Sequence, residues 1–272
     1  MKRFSTTAVL AIGLWAGCSS GQDTLSYEEF KARAYQEPDT GLYVFNGDEL
    51  VETEDAMHAL YESYLASVAA AADREDGLAT TEQGLAVNRV NGQDDKWSAS
   101  AALNLTYCIS SSSFGSRYSA MVTAMNTATA EWESAAGNGV NFVHVSSEDA
   151  NCSSRSAVVF NVRQVTTNQY LARAFFPSTS RKGREILVSS SSFGNISPWT
   201  LTGVLRHELG HTIGFRHEHT RPESGTCFED TNWRALTAYD SSSVMHYPQC
   251  NGSQNGDLVL TNLDKSGAAA LY

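Results

Sequence analysis

The stretch HELGHTIGFRHEH, His207 to His219, constrains this chain more than any other part of its 272 residues. His207 and His211 stand four apart, and His217 follows six residues later. On an α-helix, residues four apart lie one above the other, with Cβ atoms roughly 5–6 Å apart, so two imidazoles can aim at one point. A third cannot come from the same face, and the chain must leave the helix and turn back. Gly214 is placed for that exit, because glycine adopts the left-handed conformation without a steric penalty. The spacing therefore demands a helix, a tight turn and a convergent third imidazole. Three nitrogens on one zinc ion, with a fourth position left open, is the pattern of a catalytic rather than a closed structural site. Glu208 is expected to point to that open position, where a carboxylate takes a proton from an attacking water and hands it to a leaving amine.

The rest of the chain sets the context. A formal net charge of −11 argues against nucleic acid as a partner. The N-terminal segment MKRFSTTAVLAIGLWAGCSSGQ has a basic start at Lys2 and Arg3 and an apolar run, Ala8 to Trp15, too short to span a membrane. It resembles a bacterial lipoprotein signal covering residues 1–18, with Cys18 as the lipidated residue and Trp15 standing where an aliphatic residue is usual. Plain secretion is the alternative, and both readings export the protein from a bacterial cell, as an outer-membrane lipoprotein or in free form. The only membrane contact expected is through that lipid. In an oxidising compartment Cys108, Cys152, Cys227 and Cys250 suggest two disulfides among three connectivities, and the sequential pairs close modest loops on either side of the histidines.

Residues 19–95 read as a polar, acidic region ending in a linker. SYEEFKARAYQ is expected as a short helix, LYVFNGDELV as a hairpin about an Asn-Gly turn, and EDAMHALYESYLASVAAAA as a longer helix. The segment from Asp73 to Asp95 has no steady period and reads as linker, with a boundary near residue 95. From Lys96 onward a strand (ALNLTYCIS), a long helix stopping at GNG, and four further strand candidates point to an α/β or α+β domain. The histidine helix is expected to open with Ser197 as N-cap and Pro198 at its first position, and TNLDKSGAAALY to form a closing helix.

HExxHxxGxxH, here His207 to His217, is the metzincin zinc signature, and the chain is identified as a metzincin-type zinc peptidase on that motif. SVMHY, Ser243 to Tyr247, resembles the Met-turn, with Met245 as an apolar floor under the metal. Tyr247 matches the tyrosine that in astacins and serralysins is a switchable fifth ligand and steadies the oxyanion. GFRHEH continues the likeness to astacins, which breaks after Arg221, where PESGTCF replaces their acidic sequence. The likeness is closest to the bacterial HEIGH-type, dual-action metallopeptidases, with Leu209 in place of the isoleucine.

The resemblance implies an α+β zincin domain over residues 96–272: a twisted mixed sheet, an active-site helix and a small C-terminal subdomain. It implies one zinc per chain, protein or peptide substrates, and a monomer. The substrate would lie along an edge strand, for which Tyr170 to Pro177 is the candidate. FNGDEL, Phe45 to Leu50, is explained by a hairpin turn alone, and it also resembles the FxGD motif of astacin propeptides, which would make Asp48 a latency ligand and residues 19–95 a propeptide. His219 and His246 are expected beside the site rather than on the metal, and His58 and His144 as structural residues. The competing readings are a binding or adhesion module that holds zinc without turnover, and a zinc hydrolase acting on non-peptide amides.

Overall fold

A computed structural model describes residues 24–72 and 85–272. The signal-like segment with Cys18, and residues 73–84 of the expected linker, lie outside the described residues. No helix among the described residues is long and apolar enough to cross a membrane.

The N-terminal region is a small layer of its own. Helix α1, Tyr27–Lys31, opens with a capping box in which Ser26 and Glu29 satisfy each other's backbone amides. Strands β1 (Tyr35–Gln36), β2 (Tyr43–Phe45) and β3 (Glu49–Val51) form an antiparallel meander. The expected hairpin is the β2–β3 pair, with Phe45 opposite Glu49. Asn46 and Gly47 have φ of 51° and 100° at its tip, a conformation these two residue types tolerate. Helix α2, Glu54–Ala72, packs over the meander around Phe30, Phe45, Val51 and Met57.

The remainder begins earlier than expected. The residues from Leu85 to Asp95, read above as linker, form strands β4 (Ala86–Val90) and β5 (Gln93–Asp94). They are joined by a two-residue Asn91-Gly92 turn with φ of 52° and 75°, the left-handed pair that a tight hairpin requires. The polar flanks disguised a strand whose first residues, Ala86 and Val87, are fully buried. This hairpin grips the exit from the histidine helix: Asn88 N–H donates to Gly214 O and Arg216 N–H to Ala86 O.

Helix α3, Ala99–Ala102, leads into strand β6, Leu105–Ile109. After α4 (Ser111–Phe114) comes the long α5, Tyr118–Ala135, which stops at the predicted GNG. Strands β7 (Phe142–His144), β8 (Phe160–Val165), β9 (Ala172–Arg173) and β10 (Glu185–Ser189) complete a five-stranded mixed sheet in the order β7-β6-β8-β10-β9. Only the edge strand β9 runs antiparallel. It falls inside the expected edge segment, Tyr170 to Pro177.

Helix α6, Leu201–Thr212, carries the first two histidines, and its cap differs from the sequence reading. Thr200, not Ser197, is the N-cap and accepts from Gly203 N–H, so the helix starts three residues after Pro198. The hydroxyl at 200 serves the cap because the chain reaches helical geometry only after Trp199. Strand β11, Trp233–Ala235, pairs with β4, and α7, Asn262–Leu271, closes the chain as expected. The main core lies between the sheet and α5, α6 and α7, and contains Trp132, Phe160, Ile186, Leu205 and Leu271. The disulfides are Cys108–Cys152 and Cys227–Cys250, the sequential pairs.

Candidate metal centre

Helix α6 places His207 and His211 on one face with ring centroids 5.0 Å apart. The chain then turns at Gly214, whose φ is 99°, and a side chain there would strike the carbonyl of Asp95. His217 returns with its ring 5.2 Å from His207 and 4.8 Å from His211. All three rings are buried.

Each ring is oriented through its other nitrogen. His207 Nδ1 lies 2.7 Å from Val244 O and His211 Nδ1 2.7 Å from Phe215 O. A carbonyl oxygen only accepts, so each Nδ1 carries the proton and each Nε2 presents a lone pair. His217 Nδ1 sits 2.6 Å from Glu229 Oε1. Such outer partners fix tautomer and ring angle in metal sites. Burial, the main cause, lowers the pKa of His207 and His211. His217 is pushed the other way, well above the usual range: Glu229 and Asp48 outweigh its burial.

The hairpin tip reaches this cluster. Asp48 Oδ1 is 3.0 Å from His217 Nε2 and 3.5 Å from His211 Nε2, and its Oδ2 is 3.2 Å from His207 Nε2. The Tyr247 hydroxyl donates to Asp48 Oδ2 at 2.5 Å. The four ligand atoms lie within 4.8 Å of one another. The three Nε2 atoms and Asp48 Oδ1 are buried yet make no hydrogen bond, a costly arrangement for buried polar atoms. Three imidazole lone pairs and a carboxylate oxygen are the donor set zinc takes, so the residues fit the ion. Burial opposes ionisation of Asp48, but His217 and then His211 hold its carboxyl well below the ordinary range.

Glu208 points into the same space, in a cavity of about 480 Å³ that it lines with His207, Asp48 and Tyr247. Burial first, and then the charge of Asp48, raise its pKa well above that of a free glutamate. Met245 lies under α6, its sulfur against Gly210, where no side chain would fit. Its turn is pinned by Asp264, which accepts from Ser243 Oγ and Val244 N–H.

His219 and His246 stand beside the centre, as expected. His219 Nδ1 accepts from Tyr247 N–H at 3.3 Å, and burial lowers its pKa to about 4. His246 Nε2 is 2.8 Å from the Tyr239 hydroxyl. His144 bonds Asp149 and stacks on Tyr107, and His58 stacks on Tyr27. The sequence reading missed Glu229, which orients His217, and Arg216, which binds Glu229 and Asp230 and contacts Glu49 of the hairpin at 2.9 Å. It also missed the bidentate pair of Glu37 with Arg173 of β9. The acidic pair after Cys227 was the one available signal for Glu229, because the disulfide ties that loop to the one bearing Tyr247.

The model of the family described as dual-action HEIGH metallo-peptidase matches residues 73–235, more than half of the chain. The chain belongs to that family. Other relatives of this HEIGH peptidase align over shorter stretches. Protein SpAN of Strongylocentrotus purpuratus is 33% identical over 23% of this chain and 13% of its own length. High choriolytic enzyme 2 of Oryzias latipes is 33% identical over 17% of this chain and 22% of its own. The HEIGH peptidase thus spans less than a quarter of the length of the curated relatives it matches. Among solved structures, high choriolytic enzyme 1 of Oryzias latipes, a hatching enzyme zinc-protease, covers 65% of this chain and 92% of its own at 20% identity, with a TM-score of 0.39.

Proposed function

We propose that this HEIGH-family chain is a zinc-dependent endopeptidase that its own N-terminal region holds latent. The observation that carries the reading is the convergence of three buried, unpartnered Nε2 atoms with a carboxylate from the N-terminal hairpin. His207, His211 and His217 would hold one zinc per chain, with Asp48 as the fourth donor in the latent state. When bound, zinc supplies Lewis acidity to the scissile carbonyl and to the attacking water. Glu208, which lines the same space beside His207, would take a proton from that water and return it to the leaving amine. The Tyr247 hydroxyl, freed from Asp48, would donate to the developing oxyanion. Removal of the N-terminal region, by a cut N-terminal to the β4–β5 hairpin, within residues 73–84, would open the cleft. The substrate would then run along β9, where Ala174 N–H now reaches towards Asp48 O.

The test uses the full-length chain. Asp48→Ala is expected to degrade an unfolded protein in a chelator-sensitive way while the unaltered chain does not. Adding Glu208→Gln to Asp48→Ala should keep one zinc per chain and lower turnover by about 10²–10⁴-fold. If Asp48→Ala holds zinc and cleaves nothing across a broad panel, the chain is a zinc-holding binding module.

We further infer that the protein is exported as a monomer and anchored through Cys18. The two disulfides support an oxidising compartment. Labelling with a radioactive fatty acid should mark the expressed chain and be lost in Cys18→Ser; equal labelling of both would remove the anchor.

A further inference from the structure

The cavity beside Glu208 has more room than the reaction centre needs. Its volume, about 480 Å³, falls in the range of clefts that take whole small ligands. One end is polar, formed by His207, Glu208, Asp48 and Tyr247. Beyond that end the lining includes the polar Gln169, Ser197 and Gln249, but most of it is apolar: Leu171, Ile196, Trp199, Val204 and Leu258. They come from β9's approach, the loop before α6, the first turns of α6 and the segment before α7, so four separate parts of the fold present apolar groups to one space. Among the described residues, no lysine or arginine lines it. The N-terminal hairpin crosses the mouth at Gly47, where a side chain would come within 2.9 Å of the Tyr247 hydroxyl oxygen. Asp48 is the hairpin side chain that lines the space, at its polar end, and the apolar part stays open in the latent arrangement.

We propose that this pocket selects substrates by a large apolar or aromatic side chain next to the scissile bond; this rests on the endopeptidase reading for its substrate and names that substrate's class. An acidic side chain would find no cation in the walls and would face Glu208. A lysine would desolvate its charge for one carboxylate, Glu208, at the polar end. A leucine or phenylalanine gains about 1.5–3 kcal/mol on full burial, roughly a 10- to 150-fold preference.

The test is calorimetric binding of capped peptide hydroxamates to zinc-loaded, full-length Asp48→Ala. The chelating group anchors each probe at the metal, and the probes differ in one adjacent side chain: leucine, phenylalanine, aspartate or lysine. The apolar pair should bind at least about tenfold tighter than the charged pair. Ile196→Lys, on a half-buried loop, should raise aspartate to or above leucine, and Trp199→Ala should weaken phenylalanine most. A flat rank order, tighter binding of a charged probe, no binding by any probe, or an order unmoved by Ile196→Lys would overturn the proposal. Binding needs no turnover, so the two readings separate. Apolar selection without cleavage of any peptide leaves the pocket standing and removes the endopeptidase. Cleavage of a peptide library with no apolar enrichment beside the cut does the reverse.

Discussion

Residues 85–272 share one apolar core, from Leu85 through Trp132 to Leu271, whereas residues 24–72 hold together around Phe30, Phe45, Val51 and Met57. Two residues of the smaller part, Leu42 and Leu50, reach into the larger core. Tyr35 also meets Tyr170 edge to face, and the polar contacts of the joint are acidic from one side. Glu37 grips Arg173, Asp48 enters the histidine cluster, Glu49 faces Arg216, and Glu52 accepts from Ser180. The contrast teaches that the two parts are built for different lifetimes. An apolar core unfolds as a unit, while a joint of carboxylates on specific donors can separate without unfolding either side.

The largest expected effect sharpens where the boundary lies. A chain starting at residue 96 loses β4 and β5, including Leu85 and Val87, which are fully buried. Burial of two such side chains is worth about 1.5–3 kcal/mol each, against a total stability of about 5–15 kcal/mol. That chain should fail to give a cooperative thermal transition, while one starting at residue 85 keeps it. Equal melting of the two would place 85–95 outside the cooperative unit.

A smaller effect tests the joint. Glu37→Ala leaves the fully buried guanidinium of Arg173 without its carboxylate. Breaking a buried pair in this way costs about 3–5 kcal/mol. Residues 24–72 should become sensitive to limited proteolysis while the larger core resists; unchanged protection would show that the joint rests on Leu42 and Leu50 instead.

The smallest effect is the pH response of the same pair. Burial acts to raise the Glu37 pKa, but the hydrogen bonds and charge of Arg173 outweigh it and leave it lowered. A carboxyl depressed in the docked state adds stability that is complete above the ordinary glutamate range and is lost as pH falls through the depressed value. Acidification should therefore loosen the N-terminal region, measured as faster proteolysis of residues 24–72, and Glu37→Gln should flatten that dependence. A response of the same steepness in Glu37→Gln would assign it to other groups.

The sequence exposed whatever was encoded locally. The spacing of His207, His211 and Gly214 dictated helix and exit because each relation spans a turn or two. The Asn46-Gly47 tip was legible for the same reason, whereas the cysteine pairs, 44 and 23 residues apart, were read from the even number of cysteines in an exported chain. Glu229, Arg216 and the Glu37–Arg173 pair were not legible, because each acts on a partner 12 or more positions away and no periodicity announces it. The β4–β5 hairpin was hidden differently. Its Asn91-Gly92 turn carried the signal, but a polar setting made a short buried strand look like spacer.

Asp48 belongs to the same polypeptide as the histidines it touches, and this has a consequence for how the proposed enzyme is switched. Before the connection is cut, diluting the protein changes nothing, since a carboxylate on the same chain sits at an effective concentration that the covalent link fixes. After the cut the same contact becomes bimolecular, and escape depends on how far the fragment diffuses. A single peptide bond would then separate an inhibitor that no volume can wash away from one that a crowded space retains and an open one disperses.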